Sequence, residues 1–436
     1  MHIAFEGNNT LPRKFVDLRE RSRPRHDEHH GVPRIERDRS PEELKNDLEK
    51  IAKYRALEGQ LRAQTSESRF DPVTLELTTK LLRINPEYYT VWNARRRCLI
   101  SGPFENKNQK VLPKRGLGRH ETSKEPIDAP QHLSTTDSSE NGQRHCRSST
   151  SQRGTTLSEK YESGDGANSS HSSDIIRDEL VFTVPLLMAH PKCYWIWNYR
   201  MWTLEQATLL LPIEMGKSIW REELGLVGKM LDRDRRNYHA WAYRRYVVSH
   251  LESAELQGQS MAESEFAYTT KMIEDNLSNF SAWHNRAQLI PRLLAERNAD
   301  DSSRRAFLDK EFAMVDNGLN VGPEDQSLWY YHQYLALNTA EQPADLAIVP
   351  GMIIGDRVKL LSREIEFIKD LLEDYNDVKW IFEMLIEYSL LIYKLRNEPL
   401  SDEKKSEIEG WVAIIMKLDP QRSNRWKQLG EQSRTI

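Results

Sequence analysis

Two basic residues lie at positions where a protein chain can bind an anion. Lys192 and Arg236 each belong to a stretch that predicts the first turn of a helix, and Lys192 directly follows Pro191. Acidic residues are preferred there because of the helix dipole, as Glu87 and Glu324 illustrate in related stretches. A lysine beside the free backbone N–H groups of a helix start can nevertheless hold a phosphate. Lys192 is therefore either part of an anion site or an ordinary exposed lysine, and local sequence leaves both open.

The cysteines and histidines give no independent reactive site. Cys98, Cys146 and Cys193 are odd in number, widely spaced and without a CxxC pair, so we expect reduced thiols. Cys193 lies beside Lys192, but no His/Asp base arrangement is visible that would activate it as a nucleophile. Within the helical part of the chain, no His/Cys/Asp cluster has metal-ligand spacing and no Gly-rich phosphate loop occurs. We therefore predict no metal site in this chain.

The charge balance excludes a general polyanion binder. The 436 residues include 62 Lys+Arg against 66 Asp+Glu, a formal net charge of −4, whereas binding driven by counterion release needs a strongly cationic domain. We expect no nucleic-acid partner. No apolar stretch approaches the ~18 residues of a membrane span, and the N-terminus lacks the apolar core of a secretory signal. The sequence predicts a cytoplasmic protein without a membrane span.

Two segments are predicted to lack structure. Residues 1–41 are polar and without periodicity, and residues 101–174 are rich in Ser and Thr and poor in apolar side chains. Such segments cannot bury enough surface to offset the entropy of ordering. The rest predicts helices, beginning with a charged helix from Glu42 to about Ala63. We therefore expect a disordered N-terminal extension, 1–41, followed by one helical domain, 42–436. A disordered insertion, 101–174, interrupts that domain.

A repeat dominates the helical part of the chain. Five segments align without gaps on a tryptophan, and after the first pair these tryptophans lie 44, 42 and 46 residues apart. Two weaker copies follow, one around Trp380 and one that ends at Trp426. Such periods indicate stacked supersecondary units that bury a continuous core. The five tryptophans predicted to form the repeat core are Trp92, Trp197, Trp241, Trp283 and Trp329.

Each repeat predicts a pair of helices. An apolar helix ends near a proline, which suits the first turn of the next helix. The second helix carries an aromatic residue three positions before the tryptophan and an arginine three positions after it, on one face. We expect the aromatics to pack in the core and the arginines to keep their guanidinium groups at its edge. The sets are Tyr89/Trp92/Arg95, Tyr194/Trp197/Arg200, Tyr238/Trp241/Arg244 and Phe280/Trp283/Arg286.

This pattern resembles the protein prenyltransferase alpha-subunit repeat. The spacing from proline to tryptophan to arginine and the long period distinguish it from a tetratricopeptide array, whose period is about 34 residues. Three motifs look most like the short-form alpha subunits of Rab-type (type II) geranylgeranyltransferases: NFSAWHNRAQLIP at 279–291, DQSLWYYHQYL at 325–335 and HGVPR at 30–34. The alpha subunit that farnesyltransferase and type I geranylgeranyltransferase share is the near alternative.

The resemblance implies both a fold and an activity. The fold would be an all-α, right-handed superhelical α-solenoid, a crescent of helical hairpins around a beta subunit that holds the zinc ion and the lipid pocket. The enzyme would transfer geranylgeranyl from geranylgeranyl diphosphate to C-terminal cysteines of Rab GTPases, which a Rab escort protein presents. The chain would bind no cofactor itself and would act only with its beta subunit. A noncatalytic helical-repeat scaffold for peptides is an alternative from another class.

The resemblance also implies candidate site residues. Lys192 matches the position of the family's catalytic lysine, whose role would be to stabilise charge on the diphosphate leaving group. Tyr194, Tyr238 and His239 match positions that face the partner's active-site mouth. Core packing explains the two tyrosines as well. His239 points off the core stripe and is either a hydrogen-bonding group near the diphosphate or a surface histidine.

Overall fold

The computed structural model describes residues 28–29, 32–33, 40–105, 165–341, 343 and 347–435. The chain divides into two compact units, Met1–Arg69 and Phe70–Ile436. The first unit contains helix α1, Pro41–Ser66. Its start is a capping box, in which the Ser40 hydroxyl accepts the Glu43 N–H at 3.2 Å and the Glu43 carboxylate accepts the Ser40 N–H at 2.9 Å. The predicted charged helix is therefore present, with slightly wider bounds.

The N-terminal segment that we predicted to be unstructured contains one short ordered pair. Strand β1, Glu28–His29, pairs antiparallel with β2, Val32–Pro33. The two strands are separated by His30 and Gly31, a separation that suits a two-residue hairpin connection. The prediction of no strand in 1–41 is wrong at these four residues, and the rest of that segment lies outside the described residues except for Ser40 and Pro41.

The second unit is built from helical hairpins, so the all-α solenoid prediction is confirmed for the part of the chain that the structure describes. Short 3-10 turns at Ala254–Leu256 and Pro420–Arg422 supplement the helices. The hairpins are α2 (Pro72–Ile84) with α3 (Tyr89–Ile100), α4 (Asp165–Ala189) with α5 (Tyr194–Leu210), α6 (Ile213–Arg233) with α7 (Tyr238–Leu251), α8 (Ala262–Asp275) with α9 (Phe280–Glu296), α10 (Asp301–Val321) with α11 (Gln326–Glu341), α12 (Ile354–Asp374) with α13 (Lys379–Arg396), and α14 (Asp402–Leu418) with α15 (Ser423–Thr435).

The repeat tryptophans fix the turn between the two helices of a hairpin. In each of the five good repeats the indole N–H donates to the carbonyl oxygen of the residue six positions earlier, at 2.5 to 3.0 Å. The prolines lie in this turn, two residues or more before the second helix begins, and not in the first turn of that helix as we predicted. The acceptors for Trp92, Trp197, Trp241, Trp283 and Trp329 belong to Pro86, Pro191, Arg235, Leu277 and Pro323.

The tryptophans also join consecutive repeats, which confirms their place in the core. All five are at most 4% exposed. The Trp92 ring packs on Tyr199 of the next repeat at a centroid distance of 4.7 Å, and Trp197 packs on Tyr243 at 5.0 Å. Trp283 and Tyr331 repeat the contact at 4.6 Å. The partner tyrosine lies two residues after the next tryptophan, a position outside the set predicted for the core.

The repeat arginines are buried rather than placed at the edge of the core. Arg200 is 1% exposed, and its guanidinium makes two hydrogen bonds, 2.7 and 2.5 Å, to Glu223 in the first helix of the next hairpin. The Tyr243 hydroxyl donates to the same carboxylate at 2.8 Å. Because a bidentate carboxylate satisfies the guanidinium, full burial is possible. The same Arg–Glu pair joins Arg95 to Glu179, Arg244 to Glu265 and Arg286 to Glu311.

Both borders of the predicted insertion are structured. Phe104 is 8% exposed and its ring lies 6.3 Å from Trp202. Helix α4 begins at Asp165, so the predicted insertion 101–174 is wrong over its last residues. There Ser173 is 5% exposed, and the helix leads into Glu179, which Arg95 holds. The intervening residues 106–164 lie outside the described part of the chain.

Among the described helices, none has the combination of length and apolar character that crossing a bilayer requires.

Candidate functional site

The candidate residues lie where the second helices of hairpins two and three begin. Lys192 lies in the turn two residues before Tyr194, the first residue of α5, rather than in the first helical turn as predicted. Its side chain is exposed, and no group of the described residues pairs with its ammonium. Arg236 occupies the same place before α7, exposed and likewise without a partner in the described structure. Both cations are therefore available to an anion from outside.

Cys193, which follows Lys192, is a buried structural thiol. Its side chain is 2% exposed, and Sγ lies 3.5 Å from the Pro86 carbonyl oxygen of the preceding hairpin. Burial raises the pKa of the Cys193 thiol to about 11. At neutral pH the group is a protonated thiol, which is a poor nucleophile. The geometry agrees with the rejection of Cys193 as a nucleophile.

The structure brings Tyr194, Tyr238 and His239 together. The His239 ring lies between them, with centroid distances of 5.6 Å to Tyr194 and 5.7 Å to Tyr238. Trp195 continues the line, 6.1 Å from Tyr194 and 5.3 Å from Tyr89 of the first repeat. We call these five residues the aromatic ridge. It crosses the starts of three second helices, and sequence spacing gave no sign of Trp195 as its link.

The tyrosines of the aromatic ridge are exposed, so the prediction that they pack in the core is wrong. Tyr89, Tyr194 and Tyr238 are 53%, 58% and 74% exposed. They are the first residues of their helices, and Tyr199 and Tyr243, each two residues after a repeat tryptophan, pack in the core instead. The hydroxyls of Tyr194 and Tyr238 have no partner within the described residues, so they are free to bind a ligand or another chain.

His239 is half-buried in the aromatic ridge. Burial lowers the pKa of its imidazole, and the nearby carboxylate of Glu87 opposes this shift only in part. The neutral imidazole is therefore favoured at neutral pH, and it offers one N–H donor and one acceptor. This placement fits a hydrogen-bonding group at a binding surface better than a fully solvated surface histidine. Glu87 belongs to the first repeat segment, but its proximity to His239 follows only from the fold.

A groove of about 490 Å³ extends the exposed aromatic surface from the aromatic ridge toward hairpins four and five. It lies between the second helices α7, α9 and α11, and two of its rings, Phe280 and Tyr330, are 54% and 49% exposed. Phe280 is a further exposed residue of the set predicted for the core. Aromatic and cationic side chains share the lining, which includes Arg236, Tyr238, Arg245, Phe280, His284 and Tyr330.

One buried group in the described residues offers three potential metal ligands, which spacing did not predict. Asp316, His332 and Glu364 place one ligand atom each within 4.8 Å of one another. His332 takes the place of the repeat arginine three residues after Trp329, and its Nε2 lies 3.2 Å from Glu364 and 3.4 Å from Asp316. The Arg363 guanidinium pairs with Glu364 at 2.7 Å.

The charges of this group favour an ion-pair cluster over a metal site. Burial opposes protonation of His332, but hydrogen bonds and charges from Asp316 and Glu364 outweigh burial and raise its pKa. The imidazole of His332 thus takes the place of the arginine of the other repeats, and Arg363, which also pairs with Asp309 at 2.9 Å, contributes a further cation beside Glu364. His332 and Glu364 are buried, at 0% and 1% exposed, whereas the Asp316 side chain is 22% exposed.

The comparison with known families decides the assignment of the repeats. The model of the protein prenyltransferase alpha subunit repeat matches residues 74–101, 176–207, 220–251 and 262–293. Each match falls on one hairpin, from α2 with α3 to α8 with α9. The chain belongs to the protein prenyltransferase alpha-subunit family. The resemblance to this family, which we inferred from the repeat pattern, is confirmed.

Similar proteins agree with the type II branch of the prenyltransferase alpha-subunit family. The chain is 29% identical over 410 residues to geranylgeranyl transferase type-2 subunit alpha of Schizosaccharomyces pombe, covering 92% of this chain and 98% of that protein. It is 26% identical over 424 residues to the protein of the same name from Candida albicans, covering 91% and 96%. The motifs at 279–291 and 325–335 pointed to the same branch.

A solved structure supports the fold of this family member. A chain of Candida albicans protein geranylgeranyltransferase-I complexed with GGPP matches with a TM-score of 0.53 and 19% sequence identity. The match covers 87% of this chain and 91% of that chain. The roles of Lys192, Tyr194, Tyr238 and His239 are not decided by these similarities and stay predictions.

Proposed function

We propose that this chain is the alpha subunit of a Rab geranylgeranyltransferase of the cytoplasm. With a beta subunit it transfers geranylgeranyl from geranylgeranyl diphosphate to C-terminal cysteines of Rab GTPases, which a Rab escort protein presents. The observation that carries the proposal is the unpartnered, exposed ammonium of Lys192 beside the aromatic ridge. The type II relatives, at 26–29% identity over most of the chain, supply the substrate class.

The aromatic ridge and the adjoining groove are the proposed contact with the beta subunit. Large exposed rings on consecutive helix starts are unusual on a monomer and typical of an interface. Tyr238, at 74% exposed, and Phe280, at 54%, line one groove together with Arg236. An interface built on this surface would place Lys192 at the edge of the partner's active site. The chain alone would then be inactive.

The chemistry of the proposed reaction requires a cation at the leaving group. A bond forms between the cysteine sulfur and C1 of the geranylgeranyl chain, while the bond from C1 to the diphosphate oxygen breaks and its electron pair leaves with the diphosphate. Negative charge builds on the diphosphate oxygens, and the Lys192 ammonium donates hydrogen bonds to them. The free Tyr194 and Tyr238 hydroxyls and the neutral imidazole of His239 provide additional donors. Such donors accelerate a reaction because their interactions strengthen as charge develops.

The zinc ion of this chemistry is proposed to belong to the beta subunit. A catalytic zinc site needs an open coordination position for the substrate thiolate. In the cluster of Asp316, His332 and Glu364, the imidazole and the Glu364 carboxylate are buried against each other, and Arg363 also pairs with Glu364, so the cluster does not suit that role. Zinc in the partner would activate the thiolate, while this chain would act on the diphosphate.

The main alternative is the alpha subunit shared by farnesyltransferase and type I geranylgeranyltransferase, and a noncatalytic scaffold is the other. The deciding experiment coexpresses the full chain with a type II or a type I beta subunit. We expect one-to-one copurification with the type II subunit, and transfer to a Rab with a Cys-Cys end only when an escort protein is present. Transfer to a CaaX peptide with the type I subunit would overturn the Rab assignment. A stable monomer that binds neither beta subunit would overturn the enzyme assignment.

A matched pair of variants tests the interface. Tyr89→Asp puts a charge on the aromatic ridge, where it would be desolvated on binding, and should sharply reduce recovery of the beta subunit. Val181→Asp puts the same charge on an equally exposed apolar position, 66% exposed, of the first-helix layer in α4. Its recovery should match that of the unaltered chain. Equal recovery for both variants would place the interface elsewhere.

A further inference from the structure

The turn that carries Lys192 is hydrogen-bonded to the helix start that carries His239. The side-chain amide of Asn237 donates from Nδ2 to the Pro191 carbonyl oxygen at 3.2 Å, one residue before Lys192. Its Oδ1 accepts the Ala240 N–H at 3.1 Å and thereby caps α7. One side chain, 3% exposed, therefore joins the two elements.

The acceptor in this contact is already part of the repeat architecture. The Pro191 carbonyl also accepts the Trp197 indole N–H at 3.0 Å, so both of its lone pairs are occupied. The indole ties the turn to its own hairpin and the Asn237 amide ties it to the next one. Since the backbone of Lys192 is attached to this carbonyl, the Asn237 bond limits how far the turn can move relative to α7.

The equivalent positions in the neighbouring repeats do not make the same bond from an amide to a carbonyl. In the preceding repeat Cys193 holds the position and makes only a weak contact to Pro86 at 3.5 Å. In the following repeat Asn279 caps α9 through Oδ1, accepting the Ala282 N–H at 3.3 Å, but its buried Nδ2 has no hydrogen-bond partner. In the fifth repeat Asp325 holds the position and joins the turns by a different bond, since its carboxylate accepts the Ser278 hydroxyl of the preceding turn. Among these four positions, only Asn237 donates an amide N–H to a backbone carbonyl, and it does so where the Lys192 turn meets the His239 helix.

We propose that Asn237 is a positioning residue for the transfer reaction. It holds the Lys192 turn and the first turn of α7 in one fixed arrangement, so that the ammonium and the His239 imidazole meet the diphosphate together. This inference rests on the proposed role of Lys192. Small displacements of a charge-stabilising group lower turnover strongly, and a misplacement of about 1 Å can cost ~10²-fold. Asn237 itself does not touch the reacting atoms.

The test compares Asn237→Ser with Asn279→Ser in the heterodimer. Serine keeps the N-cap in both variants, but it is too short to reach the carbonyl of the preceding turn. We expect Asn237→Ser to lower kcat about tenfold, within the range that misplacement explains, with KM for geranylgeranyl diphosphate nearly unchanged. Asn279→Ser should turn over like the unaltered enzyme. Equal turnover of the two variants would overturn the proposal.

A double variant separates positioning from a general structural role. If Asn237 acts through Lys192, adding Asn237→Ser to Lys192→Ala should lower kcat by less than twofold, because coupled residues are not additive. A full further tenfold loss would overturn the positioning role. If the proposed role of Lys192 is wrong, Lys192→Ala alone leaves kcat unchanged, and this result is distinct from those that test Asn237. A loss in Lys192→Ala with none in Asn237→Ser refutes only the positioning inference.

Discussion

Arg200 is the residue whose removal should destabilise this protein most clearly. In Arg200→Ala the carboxylate of Glu223, 3% exposed, loses both guanidinium bonds and keeps only the Tyr243 hydroxyl. The Leu180 carbonyl also loses its guanidinium donor at 2.6 Å. Removing one partner of a buried pair leaves an uncompensated charge and costs about 3–5 kcal/mol. We expect a loss of that order in the free energy of unfolding.

Two controls make the Arg200 result specific. Arg297 pairs with Glu263 on the surface, where the two side chains are 41% and 64% exposed, so Arg297→Ala should cost no more than about 1 kcal/mol. The double variant Arg200→Met with Glu223→Leu removes the charge as well as its partner and should recover most of the stability. Urea unfolding of the full chain with its partner subunit, followed by circular dichroism, measures each change. Equal destabilisation by Arg200→Ala and Arg297→Ala would refute the argument from burial.

Three further outcomes are expected. Lys192→Ala should lower kcat by ~10²–10³ without loss of the heterodimer, Lys192→Arg should recover part of it, and Arg236→Ala should stay near wild type in single-turnover assays. Replacing 106–164 with a short Gly/Ser linker should leave assembly and melting temperature unchanged, because each doubling of loop length changes the closure cost by only ~0.6 kcal/mol. Because the pKa of His332 is raised in the folded state, protonation of His332 stabilises the fold. This contribution to the free energy of unfolding is complete below pH ~6.5 and is lost as pH rises through the folded-state pKa. His332→Gln should therefore flatten the fall in melting temperature between pH 6 and 9, and His190→Gln, at an exposed position, should not.

The sequence was sufficient for the hairpin architecture because the tryptophan has a role that depends only on local spacing. Six residues separate each good-repeat tryptophan from the carbonyl that its indole binds, and this interval is visible without a structure. Near the C-terminus the interval is seven residues, from Asp419 to Trp426. The last copy was recognised only as a degenerate one because Ser423 and Leu429 stand where the first four repeats have the aromatic residue and the arginine.

The sequence was not sufficient to separate core from surface on the second helices. Tyr194 and Arg200 share a face with Trp197, and from the spacing alone we expected the tyrosine in the core and the guanidinium at its edge. The structure exposes Tyr194 because it is the first residue of α5, and buries Arg200 because Glu223 lies across the next hairpin. That partner lies in another repeat, so local periodicity contains no signal for it. A search for a glutamate at a constant position in each following first helix would have found it.

The candidate site was predicted as residues but not as an arrangement. Lys192 and His239 belong to different repeats, and the family resemblance placed them without indicating what connects them. The connection runs through Asn237, a residue type that is also common at N-caps for purely local reasons. Only the position of the Pro191 carbonyl shows that its second polar atom is used.

The Arg–Glu pairs have a consequence for how this chain can unfold. Each pair joins the second helix of one hairpin to the first helix of the next, and in three junctions a tyrosine of that next hairpin binds the same carboxylate. A hairpin that opened alone would leave a buried charge in its neighbour, so the energetic coupling between neighbours is large relative to the stability of one hairpin. In a linear array such coupling makes local opening rare and unfolding cooperative. The His332 junction is the exception, because its coupling weakens as the imidazole loses its proton. Among the described junctions, we therefore expect only this one to show a cooperativity between neighbouring hairpins that depends on pH.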